Sequence, residues 1–350
     1  MNNFKSTAET NRIFYIDYLR VFATFAVVML HVATKNTNTC SVQSPEWLIL
    51  NFYNSICRWC VPVFVMISGA LFLNSNYSIS HIFKKNIFRI FTAFVAWSFL
   101  YAIVNVLIHH GGIGSLIRQT IQGHYHMWFL FMIIGLYLFV PLIRAIVHSD
   151  YLMKYFLIIS FIFSFIFPYI ISLSFFAGEK IEELLQSIYK NIYLPQSYIG
   201  YFVLGYYLYK KEYTKKQRLT IYAFSLLGFV STIALSTIHS HQINWDKGTF
   251  LNFLTVNVLL ESVGVFVFFK YKIKKNHKTV PIILKLSKYS FGVYLVHVML
   301  IETIYDLWGI YALSIHPIIS VPILTFIISI ASFIISGIIN HIPLLKNYIV

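Results

Sequence analysis

The sequence has few charged residues for its length. Aspartate, glutamate, lysine and arginine make up 11% of its 350 residues, whereas hydrophobic side chains make up 58%. A soluble globule of this size needs a larger polar surface, so the composition excludes an ordinary water-soluble protein. Apolar stretches of about 20 residues, long enough to cross a bilayer as helix, recur from end to end. We therefore predict one transmembrane domain over residues 1–350, with no soluble domain.

Cysteine is also scarce. Three cysteines make no disulfide framework. Cys57 and Cys60 form a CxxC pair, but no further Cys or His pair completes a metal site, so we expect two packing residues. The sequence predicts no metal and no tightly bound cofactor. No small-residue cleavage site follows the first apolar stretch, and we expect that stretch to remain as an uncleaved span.

Hydropathy predicts an all-α fold, a polytopic bundle of about ten transmembrane helices. The helices are expected near residues 13–34, 47–73, 82–108, 127–147, 151–172, 197–209, 219–239, 249–270, 288–308 and 317–340. Between the fifth and sixth lies an amphipathic stretch, EKIEELLQSIYKNIYLP at 179–195, which we expect on the membrane surface.

The basic residues lie mostly on one side of this predicted topology. Twenty of the 27 fall in the N-terminal segment or in loops on the same side as that segment, and five fall in the opposite loops. Lysine and arginine are enriched in cytoplasmic loops, so the N and C termini are predicted to be cytoplasmic. Topology thus explains the net charge of +15, and nucleic acid is not an expected partner.

Three polar residues interrupt the first predicted helix. Asp17 and Arg20 are three residues apart and can pair on one helix face. His31 follows eleven residues after Arg20, which returns it to within about 20° of that face, about 16 Å further along the axis. An anchoring ion pair would explain Asp17 and Arg20, and an interhelical hydrogen bond would explain His31. Their common face instead favours a site in which His31 is a general base.

Motifs elsewhere in the chain accompany the Arg20 and His31 pair, which are separated by ten residues. They are VPVFVMISGALF at 61–72, YHMWFLFMIIGLYLFVPLI at 125–143 and SFGVYLVH at 290–297. In this combination the chain resembles acyltransferase family 3, bacterial envelope enzymes, over nearly its whole length. The resemblance implies a bacterial inner-membrane enzyme that transfers an acetyl group from cytoplasmic acetyl-CoA to a sugar hydroxyl of an envelope polysaccharide or glycolipid.

The resemblance also implies roles for the first helix. Arg20, oriented by Asp17, would bind a phosphate of CoA, because a guanidinium forms bidentate contacts with phosphate. His31 would act as general base or relay the acyl group. The three residues are thus candidate catalytic residues, and Arg20 is in addition a candidate CoA-binding residue.

Four further residues are candidate CoA ligands, each with a simpler alternative. Ser68 lies beside a glycine, as in small-residue packing between membrane helices. Arg89 is explained by the positive-inside rule alone. Tyr294 and His297 are three residues apart and could satisfy each other. The family motifs favour a binding role for Ser68, Tyr294 and His297, and the phosphates of CoA favour one for Arg89.

Candidate residues for binding the saccharide acceptor lie toward the predicted outer side. Arg58 either extends to the interface or binds an anionic acceptor. His126 and Trp128 begin the fourth helix, where an interfacial aromatic belt would explain them equally well. Glu302 is expected to be solvated at a helix end, and Glu261 is a carboxylate within a span that has no partner in the sequence pattern.

Two other functions fit parts of this pattern. An exporter or flippase of envelope saccharides would use similar spans, polar linings and aromatic residues. A helical assembly or sensor protein would explain the hydropathy but not the polar face of the first helix. No internal repeat of the kind that builds secondary transporters is visible, which disfavours the exporter. An O-acetyltransferase is therefore the preferred hypothesis.

Overall fold

A computed structural model describes residues 13–190, 198–274 and 279–349 of the chain. These ranges contain helices and turns but no strand, which confirms the all-α prediction. Parts of the sequence-based interpretation lie outside them. These are the basic residues Lys5, Arg12, Lys275 and Lys278, the end of the amphipathic stretch at 191–195, and the predicted helix start at 197.

The helices are numbered here in chain order. They are α1 (Phe14–Thr34), α2 (Pro45–Ile56), α3 (Cys60–Leu73), α4 (Phe88–His109), α5 (Ile113–Gln122), α6 (Trp128–His148), α7 (Asp150–Phe161), α8 (Phe167–Ser174), α9 (Glu179–Lys190), α10 (Ile199–Lys210), α11 (Lys215–Ile243), α12 (Val256–Lys272), α13 (Val280–Trp308), α14 (Pro317–His341) and α15 (Pro343–Tyr348). A helical turn at Ile79–His81 and a π-helical segment at Ile82–Ile87 lead into α4, and a second π-helical segment, Ile162–Ile166, joins α7 to α8.

Nine helical segments in the described ranges are long and apolar enough to cross a membrane, which confirms a polytopic bundle. The predicted span at 197–209 corresponds to α10, which has 12 residues. A helix of that length extends about 18 Å, short of the hydrocarbon thickness. The described structure therefore has nine long spans and one short helix at the position of the predicted sixth span.

The predicted second span, 47–73, is two helices rather than one. Residues Cys57–Trp59 separate α2 from α3. Pro62 explains the position of the break, because a proline ring clashes with the carbonyl four residues earlier and is best accommodated in the first turn of a helix, where Pro62 lies in α3. Cys57 and Cys60 lie at this break, where both are free thiols buried in the hydrophobic core.

Two short helices, α5 and α15, were not predicted. Hydropathy misses α5 because its isoleucines Ile113, Ile117 and Ile121 lie one turn apart and alternate with mostly polar residues. All three isoleucines are exposed. The amphipathic stretch at 179–195 does form a helix, α9, over its described part.

Glycine allows α3 and α10 to pack with their backbones almost in contact. A methyl group at Gly69 would lie 1.8 Å from the backbone oxygen of Phe202, and one at Gly205 would lie 2.1 Å from that of Met66. Close packing through small residues stabilises helix pairs in membranes, where burial from water contributes little. The short helix α10 is thereby fixed against the helix that carries Ser68.

Replacement of Gly69 by alanine tests this contact. Because the added methyl group would overlap backbone rather than a flexible side chain, we expect Gly69→Ala to lower the free energy of unfolding by about 1–3 kcal/mol, measured by SDS titration of purified protein. Gly135→Ala in α6 is the matched control, since a methyl group there meets no atom within 4 Å. Equal stability of the two variants would contradict the packing account.

Candidate active site

A cavity of about 840 Å³ lies between α1, α3, α4, α6 and α13. This volume suits a ligand of nucleotide or drug size. No acidic side chain lines the cavity within the described ranges, whereas six basic side chains do: Arg20, Lys84, Lys85, Arg89, Lys288 and Lys346. The cavity is therefore suited to a ligand with several negative charges.

The cavity wall changes from basic to aromatic along α13. Ser287, Phe291 and Tyr294 follow one another at helical spacing and all line the cavity. Seven residues of helix rise about 10 Å, so the cavity follows α13 for two turns. The guanidinium of Arg89 lies 5.5 Å from the ring centre of Phe291, where the basic and aromatic walls meet. Ser68 lines the same cavity from α3.

Asp17 and Arg20 meet at Ser287 on the cavity wall. The Ser287 hydroxyl donates to Asp17 Oδ1 at 2.5 Å and accepts from Arg20 Nη1 at 3.1 Å. The nearest oxygen and nitrogen of Asp17 and Arg20 are 3.8 Å apart. Asp17 is buried, whereas Arg20 is partly exposed in the cavity. The serine thus joins α1 to α13 and holds Arg20 beside a carboxylate.

His31, His126 and His297 form a histidine cluster at the other end of α1. The ring centre of His31 lies 5.0 Å from that of His297 and 6.4 Å from that of His126. His126 and His297 are 5.6 Å apart. His297 Nδ1 lies 3.1 Å from the backbone oxygen of Val293, to which it donates as the neutral tautomer. The Nε2 atoms of His126 and His297 are buried and have no hydrogen-bond partner among the described residues.

Tyr294 connects the cavity to this cluster. Its ring lines the cavity and lies 5.4 Å from the His126 ring and 6.0 Å from the His297 ring. Its hydroxyl donates to the backbone oxygen of His126 at 2.6 Å. The Tyr294 hydroxyl therefore does not donate to the His297 side chain. The histidines therefore lie just beyond the aromatic end of the cavity.

The histidine cluster has a further neighbour, His124, that the sequence analysis missed. His124 and His126 both follow Gly123, whose φ of +73° favours glycine; His124 precedes the 3-10 turn Tyr125–Met127, and His126 lies within it. The His124 ring stacks on Tyr101, with ring centres 4.4 Å apart. Short spacing to His126 was visible in the sequence, but nothing there indicated that the ring turns inward.

The side chain of Glu302 forms ion pairs that the sequence did not predict. It was expected to be solvated at a helix end, but its carboxylate contacts Lys35 at 3.3 Å and His124 Nε2 at 3.2 Å. Lys35 follows α1 directly, one turn after His31, and Glu302 lies five residues after His297 on α13. The Lys35–Glu302 ion pair thus links the end of α1 near His31 to α13. The Asp17–Ser287 hydrogen bond links the same two helices at the opposite end of α1.

Arg58 and Trp128 lie together, away from the cavity and around the ring of Phe253. The Arg58 guanidinium lies 5.3 Å from the Phe253 ring centre, and the Trp128 ring is stacked 6.1 Å from it. Trp128 also contacts Tyr198. The structure therefore brings two of the three predicted acceptor residues to one aromatic surface, whereas His126 lies in the histidine cluster.

Glu261, the unexplained carboxylate, has a partner in α11. The Thr232 hydroxyl donates to Glu261 Oε1 at 2.5 Å, and Asn257 Nδ2 donates to the same hydroxyl oxygen at 2.8 Å. These buried polar groups lie where α11 and α12 pack closely at Gly228. The contacts give Glu261 a place in helix packing, separate from the cavity.

The described ranges thus form a multi-pass bundle with a basic cavity whose aromatic end lies beside the histidine cluster. The family model of acyltransferase family 3, described as an acyltransferase domain, matches residues 13–341. The chain therefore belongs to this family, and it is a membrane acyltransferase. No curated protein and no solved structure matches the chain significantly.

The Ser287 contact makes a testable prediction. Replacing Ser287 with alanine removes a hydrogen bond to each of two charged groups, and such bonds contribute about 1.5–3 kcal/mol. We expect Ser287→Ala to lower the free energy of unfolding by an amount in this range, measured in detergent by SDS titration. Ser290→Ala is the control, since the Ser290 hydroxyl donates to the carbonyl of Leu286 within α13. A loss no larger than that of the control would contradict the bridging role.

Proposed function

We propose that the protein is an O-acetyltransferase that moves an acetyl group from acetyl-CoA to a sugar hydroxyl of a cell-envelope polysaccharide or glycolipid. One observation carries the proposal. A single cavity leads from six basic side chains, past an aromatic wall, to Tyr294 beside the histidine cluster. This sequence of surfaces matches the chemistry of CoA, which has phosphates at one end and a thioester at the other.

The basic end of the cavity suits the phosphates. Arg20 and Arg89 can contact phosphate oxygens bidentately, and the lysines add charge without fixed geometry. The pantetheine arm then lies along the aromatic wall with Ser68 and Tyr294, and His297 is reached through Tyr294. Acetyl-CoA binds here as a co-substrate rather than as a resident cofactor.

The histidine cluster suits the reacting end. His31 acts there as general base for the attacking hydroxyl, or it carries the acetyl group between donor and acceptor. Asp17 contributes indirectly, because it holds Arg20 at the cavity wall through Ser287. The path from donor phosphate to acyl transfer thus follows one face of α1.

The aromatic surface around Phe253 suits the acceptor. The apolar face of a sugar ring can pack against Trp128, while Arg58 contacts a hydroxyl or an acidic group of the saccharide. Arg58 already lies over the Phe253 ring, where low local polarity strengthens its contacts. The acceptor therefore approaches from a different side of α6 than CoA does.

The predicted orientation supports the same assignment. It puts the basic end of the cavity in the cytoplasm, where acetyl-CoA is made, and the histidine cluster toward the periplasm of a bacterial inner membrane. From the short motifs IDYLR, VVMLH, MISG, HMWF and SFGVY we further propose a relationship to the O-acetyltransferase of enterobacterial common antigen. The acceptor proposed here is accordingly an envelope glycan or lipid-linked saccharide.

The role of Arg20 in donor binding is testable by calorimetry. We expect Arg20→Ala to weaken binding of CoA to protein in nanodiscs by about 10- to 150-fold, since a charge-assisted contact contributes about 1.5–3 kcal/mol. Arg118→Gln removes an exposed charge outside the cavity lining and is the control. Comparison of CoA with 3′-dephospho-CoA shows which phosphate is involved. Unchanged affinity for both ligands would reject the assignment.

The role of His31 is testable in cells. We expect His31→Ala to abolish acetylation of the envelope glycan while the protein is still made and inserted, because the variant lacks the group that meets the thioester. Mass spectrometry of the glycan measures the acetyl content. Normal acetylation in this variant would contradict the role assigned to His31. An exporter would instead show glycan retained on the cytoplasmic leaflet with unchanged acetyl content.

A further inference from the structure

A row of contacts joins His126 of the histidine cluster to Glu302. Glu302 Oε2 lies 3.2 Å from His124 Nε2, and His124 Nδ1 lies 3.0 Å from His126 Nδ1. We call these three side chains the carboxylate chain. It leads from a partly exposed carboxylate to a histidine that is 2% exposed.

The contacts of the carboxylate chain match one arrangement of its protons. A carboxylate only accepts hydrogen bonds, so the His124 Nε2 that faces it carries a proton. In the tautomer that has only this proton, His124 Nδ1 accepts the Nδ1 proton of His126. The lone pair of His126 consequently lies on Nε2, the buried atom with no hydrogen-bond partner among the described residues.

His126 differs in this respect from His297. His297 Nδ1 faces a backbone oxygen, which orients the ring but brings no charge. His126 is connected by way of His124 to Glu302, and a negative charge in a low-dielectric site stabilises an imidazolium. Of the two orphaned Nε2 atoms, that of His126 is therefore the better placed to accept a proton.

Neighbouring side chains hold the carboxylate chain in position. Lys35 contacts Glu302 and keeps its carboxylate charged. Tyr101 stacks on His124, and its hydroxyl donates to the backbone oxygen of Leu295 and accepts from the backbone nitrogen of Met299. The other titratable groups in ring contact with the chain are His31, His297, Tyr125 and Tyr294.

We propose that His126 accepts the proton of the acceptor hydroxyl, and that His124 and Glu302 are positioning residues that set its tautomer and stabilise its protonated form. This inference rests on the proposed function and on the second of its two roles for His31, in which His31 carries the acetyl group. The bond from the acyl carbon to the CoA sulfur breaks as the acyl carbon bonds to a His31 nitrogen, and the thiolate leaves. The acceptor oxygen then forms a bond to the acyl carbon, the bond from that carbon to the His31 nitrogen breaks, and the hydroxyl proton passes to His126 Nε2. The thiolate takes this proton, so the reaction is balanced and both histidines are restored.

Glu302→Gln tests the positioning role, because it keeps the shape of the side chain and removes the charge. We expect kcat to fall by about 100-fold, within the range for general-base catalysis. The KM for acetyl-CoA is expected to stay within about twofold, since the carboxylate chain does not line the cavity. The acid limb of the kcat profile should move to lower pH, because loss of the carboxylate makes His126 less basic.

The matched control is Asp306→Asn. Asp306 is an exposed carboxylate one turn further along α13, so this variant removes the same charge from the same helix. We expect its kcat and pH profile to equal those of the wild type. A Glu302→Gln variant that matches this control in kcat and in pH profile would overturn the inference.

A double-mutant cycle separates positioning from general structural damage. If Glu302 acts through His126, Glu302→Gln added to His126→Gln causes no further loss of kcat. Multiplicative losses would overturn the inference. Should Glu302→Gln not yield folded protein, His124→Gln replaces it in the same cycle with the same two outcomes. CoA release by the wild type in this assay tests the proposed function separately, since it does not depend on which histidine accepts the proton.

Discussion

Asp17 places a carboxylate inside a membrane helix, and the arrangement around it compensates this charge. An unpaired buried charge costs several kcal/mol, so the residue requires partners from whichever helix lies opposite. Ser287 of α13 supplies a hydrogen bond, and Arg20 supplies the opposite charge. The same contacts hold the Arg20 guanidinium at the cavity wall. The arrangement that compensates Asp17 within α1 thus also places Arg20, one of the six basic side chains, at the basic end of the cavity.

Contacts between α1 and α13 recur in register along both helices. Arg20 meets Ser287, His31 meets His297, and Lys35 meets Glu302. Both residue numbers increase together, so the two helices run in the same direction. Counted with the short helix α10, α13 is the ninth helix of the predicted ten, and the first and ninth are parallel in an alternating topology. The pair forms one wall from the basic cavity to the carboxylate chain.

Sequence reasoning identified the residues of this wall on α1 but few of their partners. Spacing sufficed for Arg20 and His31, because helical periodicity alone places them on one face. Ser287, which contacts both Asp17 and Arg20, lies 267 positions after Arg20 in the sequence. Serine is a common residue, and nothing in the sequence around Ser287 distinguishes it. His124 was missed because its inward position depends on the turn at Gly123. Glu302 was wrongly expected to be solvated, since its partner Lys35 is equally remote in sequence.

The central claim is that CoA lies along this wall with its phosphates at Arg20 and its thioester at the histidine cluster. A cryo-EM structure of the protein with bound acetyl-CoA tests it most directly. The account predicts phosphate density in contact with Arg20 and Arg89, and the thioester beyond Tyr294 beside His31. Nucleotide density outside the cavity, or phosphates at the histidine end, would contradict it.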